Sequence, residues 1–221
     1  SWSPSRKTPS TCVHGPPSSG SSNRDLGAAK DPAESRGYTL AATVRCPRKV
    51  IGEFIAGGFG PNSPMVAAAK LIAKSRWRAE THSLSAMDFQ QEIQAYEAAH
   101  AETPITDLRW VVAHVPFITE PWVNRLKAIG GGLSLTSWRY LAGTPEQNGP
   151  DFKMILGTGI HCGMSSDGMQ IAPMNPWLHM YYATTGLNAR QVLINGGKQI
   201  SRQDVLKMYT ASNGWFIREE D

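Results

Sequence analysis

The sequence has few cysteines, no long apolar run and no dense basic segment, and each absence excludes a class of protein. Its three cysteines, Cys12, Cys46 and Cys162, are too few for a disulfide framework and lack the Cys-x-x-Cys spacing of a zinc ribbon. No window approaches the run of about 18 apolar residues that a membrane-spanning helix needs. We therefore expect no membrane partner, and the sparse cysteines favour a reducing compartment such as the cytoplasm.

The net charge of +4 suggests a nucleic-acid partner until the charges are mapped along the 221 residues. Residues 1–50 contain eight Lys and Arg against three Asp and Glu, whereas residues 51–221 contain fourteen against fifteen. The basic charge is therefore confined to the first stretch. That stretch lacks the contiguous basic run and interleaved aromatic residues typical of a nucleic-acid site, so we expect no nucleic-acid partner.

Composition divides the chain into two parts. Residues 1–36 are rich in Ser, Pro, Gly and basic residues and have almost no Ile, Leu or Phe, so they offer little apolar surface to bury on folding. We predict an irregular extension there. Residues 37–221 contain enough apolar residues for one core and form the single predicted domain.

Within this domain, short apolar runs alternate with stretches of helical periodicity. The runs predict strands at 76–82, 108–114, 133–137 and 159–167. Helices are predicted at 63–75, from 85, from 121, at 151–156, 176–184 and 201–215. This alternation predicts an α/β fold with parallel strands, namely a partial (β/α)8 barrel of about four units.

Three residues of metal-ligand type lie where predicted strands end: His82, His114 and Asp167. The carboxyl ends of parallel strands meet at one edge, so these side chains are expected at a common mouth. Two imidazoles and a carboxylate suit Zn²⁺ or a similar divalent ion, and such an ion activates water for hydrolysis. A single histidine is more often a packing residue than a ligand, so the expectation depends on all three together.

The stretches His82-Ser-Leu-Ser-Ala-Met-Asp88, Trp110-Val-Val-Ala-His114 and Gly163-Met-Ser-Ser-Asp167 resemble strands five, six and eight of amidohydrolase family 3. This family includes N-substituted formamide deformylase, and the resemblance covers about residues 52–221. It implies that His82, His114 and Asp167 bind a divalent metal, most simply zinc, and that Asp167 accepts a proton from the attacking water. The implied reaction is hydrolysis of the C–N bond of a small amide or formamide.

Arg139 and Tyr140 follow the third predicted strand, where they are candidates for holding a substrate carboxylate or carbonyl group. Loop packing is the alternative for both. His161 on the last strand and His179 in a helical stretch are expected to be packing or supporting residues.

The sequence also departs from the family pattern. It contains no His-x-His pair, and Lys49 is the one candidate for the lysine that the family carries on its fourth strand. We therefore expect a fragment or a shortened form. An open half barrel exposes two strand edges, which predicts a homo-oligomer and leaves open an alternative function as a non-catalytic half barrel that acts through association.

Overall fold

The structure is a computed structural model that describes residues 44–46, 49–51, 63–168 and 171–219. The predicted extension at residues 1–36 lies outside the described residues. Strands β1 (Val44–Cys46) and β2 (Lys49–Ile51) form an antiparallel pair, and the side chain of Lys49 also lies outside the description. Among the described residues, no helix has the length and apolarity to cross a membrane.

Four parallel strands form the central sheet and confirm the predicted α/β fold. They are β3 (Glu80–Ser83), β4 (Val111–His114), β5 (Gly132–Thr136) and β6 (His161–Ser165), in that spatial order. Three of them, β3, β4 and β6, begin later than predicted, because Arg76, Arg109 and Gly159 have φ values of 58°, 56° and 69°. An extended strand cannot include such left-handed residues.

Eight helices accompany these strands in the described part of the chain. They are α1 (Pro64–Lys74), α2 (Ala86–Glu102), α3 (Glu120–Ala128), α4 (Arg139–Ala142), α5 (Phe152–Gly157), α6 (Pro176–Thr185), α7 (Arg202–Tyr209) and α8 (Ala211–Ile217). The short α4 was not predicted. The helix predicted over 201–215 is divided at Thr210, whose φ of −118° and ψ of −97° interrupt the helical conformation.

Side-chain caps determine where several helices begin. The Ser85 hydroxyl accepts a hydrogen bond from the backbone N–H of Asp88, and the Asp88 carboxylate accepts one from the backbone N–H of Ser85. The hydroxyls of Ser63 and Ser201 likewise accept hydrogen bonds from the backbone N–H groups of Val66 in α1 and Asp204 in α7. Each such cap typically stabilises a helix by about 1 kcal/mol, which explains why these boundaries were predictable from sequence.

One face of the sheet lies in the main hydrophobic core. Val112, Leu133 and Leu135 alternate along their strands and are fully buried in one cluster with Phe89 and Ile93 of α2. Burial of each such side chain contributes roughly 1.5–3 kcal/mol. This core holds the strands in register and therefore fixes the positions of their carboxyl ends.

Helix α8 covers the amino-terminal ends of β5 and β6. A Cβ added to Gly132 would lie 2.5 Å from a ring carbon of Trp215, so glycine is what allows the indole to rest on the strand. The His161 ring stacks on the same indole, with the two ring centroids 4.5 Å apart. Arg109 donates a hydrogen bond to the Trp215 carbonyl oxygen at 2.6 Å. This end of the sheet is closed by packing.

Candidate functional site

The carboxyl ends of β3, β4 and β6 bring together His82, His114 and Asp167. The Nε2 atom of His114 lies 3.0 Å from Nδ1 of His82 and 3.9 Å from Oδ2 of Asp167. The two imidazole rings meet edge to face, with centroids 4.4 Å apart. The side chains predicted to share a mouth are therefore neighbours, although their proximity does not test their proposed roles.

An irregular backbone conformation at His114 produces this arrangement. Register pairs His82 with Ala113 and pairs His114 with Ser83 and Leu135, so regular alternation would direct the two histidines to opposite faces of the sheet. His114 instead has a φ of 71°, which turns its Cα–Cβ bond away from the regular strand direction. A left-handed conformation costs a non-glycine residue about 1 kcal/mol or more, and the surrounding packing must stabilise it.

The His114 imidazole is buried and has partners on its edge and its face. Its Nδ1 atom lies 3.3 Å from Oγ1 of Thr136, and its ring stacks on Trp138 with centroids 4.7 Å apart and an interplanar angle of 19°. Burial, followed by the proximity of His82, lowers the pKa of His114 to about 3. The ring is therefore neutral near pH 7, which is the form that binds a metal.

Asp167 lies two residues beyond the end of β6 and is more accessible than His114. Its side chain is 29% exposed, against 4% for the His114 side chain. Its φ of 49° places it, like His114, in the left-handed region. A partly exposed carboxylate beside a buried neutral imidazole gives the site one side that solvent and small molecules can reach.

The donor chemistry and the two measured separations fit a divalent metal. Two donor atoms that each lie about 2.0–2.2 Å from one ion are at most about 4.4 Å apart, and the separations of 3.0 Å and 3.9 Å fall within this limit. However, no group of three or more His, Cys, Asp or Glu side chains in the described residues is arranged to hold an ion. The geometry provides two close donor pairs that share His114, and not a completed metal centre.

The two predicted substrate-binding residues occupy different surroundings. Nη1 of Arg139 donates to Oε1 of Gln147 at 3.2 Å, and its guanidinium group lies 5.6 Å from the centre of the Phe117 ring. The Tyr140 ring packs edge to face on Tyr181 of α6, with centroids 6.2 Å apart. Arg139, the first residue of α4, therefore contacts the segments that follow β4 and α4. Tyr140 has the packing contact that was its alternative interpretation.

Sequence reasoning missed Thr136 and Trp138. Thr136 is the last residue of β5, and Trp138 lies two residues beyond it, at the N-cap of α4. The available signal in the sequence was a hydroxyl and an aromatic side chain at the end of a predicted strand, the edge where the site residues were expected. The other missed feature is a set of three buried polar atoms just beyond β5 that have no hydrogen-bond partner within the part of the chain that the structure describes: Ser137 Oγ, Trp138 Nε1 and Arg139 Nε.

Comparison with known proteins now gives the family. A model described as "Amidohydrolase family", of the type Amidohydro_3, matches residues 35–221, which is most of the chain. The chain belongs to the amidohydrolase family. This confirms the family suggested by the three sequence stretches, while the resemblance to formamide deformylase remains a finer hypothesis. No curated protein sequence matches the chain.

Solved structures in the same comparison show the fold of this amidohydrolase chain. An uncharacterized metal-dependent hydrolase from Pyrococcus furiosus has a TM-score of 0.55 and 17% identity, with 71% of this chain and 32% of that chain covered. One from Pyrococcus horikoshii OT3 has a TM-score of 0.59, 15% identity and coverages of 71% and 33%. Guanine deaminase from C. acetobutylicum has a TM-score of 0.50, 14% identity and coverages of 69% and 38%. The chain thus spans about a third of the length of these proteins.

Proposed function

We propose that this amidohydrolase-family protein is a metal-dependent hydrolase of C–N bonds in small amides or formamides. The observation that carries the proposal is the approach of His114 Nε2 to His82 Nδ1 at 3.0 Å and to Asp167 Oδ2 at 3.9 Å. Two imidazole nitrogens and one carboxylate, at the carboxyl ends of parallel strands, are donors of the kind found in hydrolytic metal sites.

In this proposal, His82 and His114 hold a divalent ion, most simply Zn²⁺, together with Asp167. When bound, such an ion lowers the pKa of a coordinated water towards 7 and polarises a carbonyl group. Burial keeps His114 neutral, so its nitrogen lone pair is available at neutral pH. Asp167 accepts the proton of the attacking water, a role that suits a carboxylate whose side chain is partly exposed.

The substrate assignment comes from the resemblance to N-substituted formamide deformylase and from the loop that follows β5. Arg139 is proposed to hold a carboxylate or carbonyl oxygen of the substrate, because its Nε–H has no hydrogen-bond partner among the described residues. Tyr140 is the second proposed substrate-binding residue. Its phenol would have to reach the substrate from a ring that packs on Tyr181.

Metal binding and turnover by the 221-residue chain test this function. With added Zn²⁺, the chain should bind the metal weakly and hydrolyse an N-substituted formamide or an N-acyl amino acid slowly. His82→Gln and His114→Gln should each weaken Zn²⁺ affinity by about 100-fold or more, because each removes a side chain proposed to bind the metal directly. His161→Gln is the matched control, since that histidine stacks on Trp215 at the opposite end of the sheet.

Equal Zn²⁺ affinity in His114→Gln and the unmodified chain would contradict the proposed site. Metal binding without turnover on either substrate class would contradict the proposed reaction but would still support the proposed metal site.

We also propose that the chain forms a homo-oligomer. Strands β3 and β6 each have one neighbour in the described part of the sheet, and Leu84 and Met87, just beyond β3, are more than half exposed. An unpaired strand edge flanked by apolar side chains favours association.

Light scattering should give a mass of at least two chains, and a mass of 24.1 kDa at all concentrations would contradict this proposal. An oligomer without metal or turnover would favour the non-catalytic half barrel.

A further inference from the structure

We propose that Thr136 and Trp138, two residues of the β5 end, are positioning residues that orient the His114 ring so that Nε2 faces the other donors. The inference rests on the proposed metal-dependent function for its purpose, but its geometry can be tested without a metal. Neither residue belongs to the proposed ligand set. Together they contact His114 on its edge and on its face.

The edge contact determines which nitrogen keeps a lone pair. Neutral imidazole has one N–H and one acceptor nitrogen, and a nitrogen that binds a metal must be the acceptor. If Nε2 binds an ion, the proton lies on Nδ1 and is donated to Oγ1 of Thr136, 3.3 Å away. Both side chains are buried, so water does not compete effectively for this hydrogen bond.

The face contact restricts rotation of the ring. A single hydrogen bond of 3.3 Å to Nδ1 restrains rotation of the imidazole about its Cβ–Cγ bond only loosely. The Trp138 indole lies nearly parallel to the imidazole, with centroids 4.7 Å apart, and blocks that motion on one side. The edge and face contacts together keep Nε2 directed at His82 and Asp167.

Strand β5 contains its own control for this idea. Ser134 lies two residues before Thr136, on the same side of the strand, and its hydroxyl donates to Oγ of Ser165 at 3.3 Å. Removal of the Ser134 hydroxyl therefore changes a partly buried polar contact on the same strand without a change at the His114 ring.

The first measurement uses nuclear magnetic resonance of the metal-free, ¹⁵N-labelled full chain. Thr136→Val should move the Nδ1 resonance of His114, because valine keeps the shape of threonine and removes the hydroxyl partner. Trp138→Leu should shift the ring protons of His114, because it removes the ring current of the indole. Thr136→Ser and Trp138→Phe keep the contacting groups and should restore most of each signal. Ser134→Ala should leave both signals in place.

The second measurement is Zn²⁺ affinity, determined by competition with a chelator. Thr136→Val and Trp138→Leu should weaken binding by about 10-fold to 100-fold, the usual effect of losing a group that orients a ligand. Thr136→Ser and Trp138→Phe should bind within about threefold of the unmodified chain, as expected if the hydroxyl and the aromatic ring are the groups that act.

The outcomes separate this inference from the proposed function. Unchanged His114 resonances in both Thr136→Val and Trp138→Leu would overturn the positioning contacts. Normal Zn²⁺ affinity in both variants would overturn their role in orienting His114, while the metal site itself would stand. If the resonances move as expected but the unmodified chain binds no Zn²⁺, the ring is positioned as inferred and the metal-dependent function is wrong.

Discussion

The two ends of the four parallel strands differ in how completely their polar groups are paired. At the amino-terminal end, the Trp110 indole N–H donates to the Trp77 carbonyl oxygen at 2.9 Å, and Arg78 donates to the Arg109 carbonyl oxygen at 3.1 Å. At the carboxyl end, the indole N–H of Trp138 is buried and has no hydrogen-bond partner among the described residues. An unpaired buried donor costs roughly 1–3 kcal/mol, so only one end of the sheet is arranged for stability.

Backbone strain does not account for this difference, because Arg109 at one end and His114 at the other both have positive φ values. Their surroundings are what differ. Arg109 donates to Trp215, whereas His114 directs a ring nitrogen at two potential metal donors. In parallel α/β barrels, stability is concentrated at the amino-terminal face and chemistry at the carboxyl face. The end of this sheet that α8 closes by packing is likewise the amino-terminal end.

The largest expected effect on stability comes from truncating Trp215, the residue of α8 that packs on β5 and β6. Trp215→Ala should reduce the free energy of unfolding by about 3–5 kcal/mol, because it leaves a cavity on Gly132 and removes the stack with His161. Urea denaturation followed by circular dichroism measures this change. Trp177→Ala is the matched control, since Trp177 is 67% exposed and should change stability by less than about 0.5 kcal/mol. Equal effects of the two substitutions would remove the distinction between the ends.

A pH-dependent effect is expected from Glu92 of α2, whose side chain is buried beside Thr81 and Ser83 of β3. Burial, followed by the nearby Asp88, raises its pKa to about 8. The folded chain therefore keeps a proton that the unfolded chain releases near pH 4.5, so this contribution to stability is lost as pH rises from about 4.5 to 8. Glu92→Gln should remove the loss.

Urea denaturation at pH 5.5, 7 and 8.5 provides the measurement. The stability of Glu92→Gln relative to the unmodified chain should increase by up to about 1.4 kcal/mol per pH unit within this window, reaching a few kcal/mol at pH 8. Asp88→Asn is a useful comparison, because it removes the neighbouring charge while Glu92 stays buried. A difference between Glu92→Gln and the unmodified chain that does not vary with pH would show that Glu92 is ionised in the folded state.

The smallest expected effect compares the two indoles directly. Trp110→Phe should cost about 1–3 kcal/mol, because it empties part of a fully buried position and leaves the Trp77 carbonyl oxygen without its donor. Trp138→Phe should change the free energy of unfolding by about zero, because the lost apolar area is offset by removal of an unpaired N–H. Thermal and urea unfolding of both variants tests the pair. A larger loss in Trp138→Phe would mean that its N–H is satisfied in solution.

Much of the fold and part of the candidate site were predictable from local sequence. Helix boundaries at Ser63, Ser85 and Ser201 were recognisable because a cap requires only residues three positions apart. The strand starts were less predictable, since the apolar runs before β3 and β4 continue through Arg76 and Arg109, whose left-handed conformations are not encoded by any apolar pattern. The break at Thr210 was missed because the conformation there, with a φ of −118° and a ψ of −97°, is not encoded by the apolar pattern either.

The sequence by itself determined the alternation of helices and strands, and with it the expectation that His82, His114 and Asp167 share one edge of a parallel sheet. Periodicity is a local property, so a single chain displays it directly. Tertiary structure decided which nitrogen of His114 faces His82, because the φ of 71° that aims the ring departs from strand alternation. It also decided the roles open to Thr136 and Trp138, whose contacts with His114 join residues 22 or more positions apart and exist only once β4 and β5 are paired.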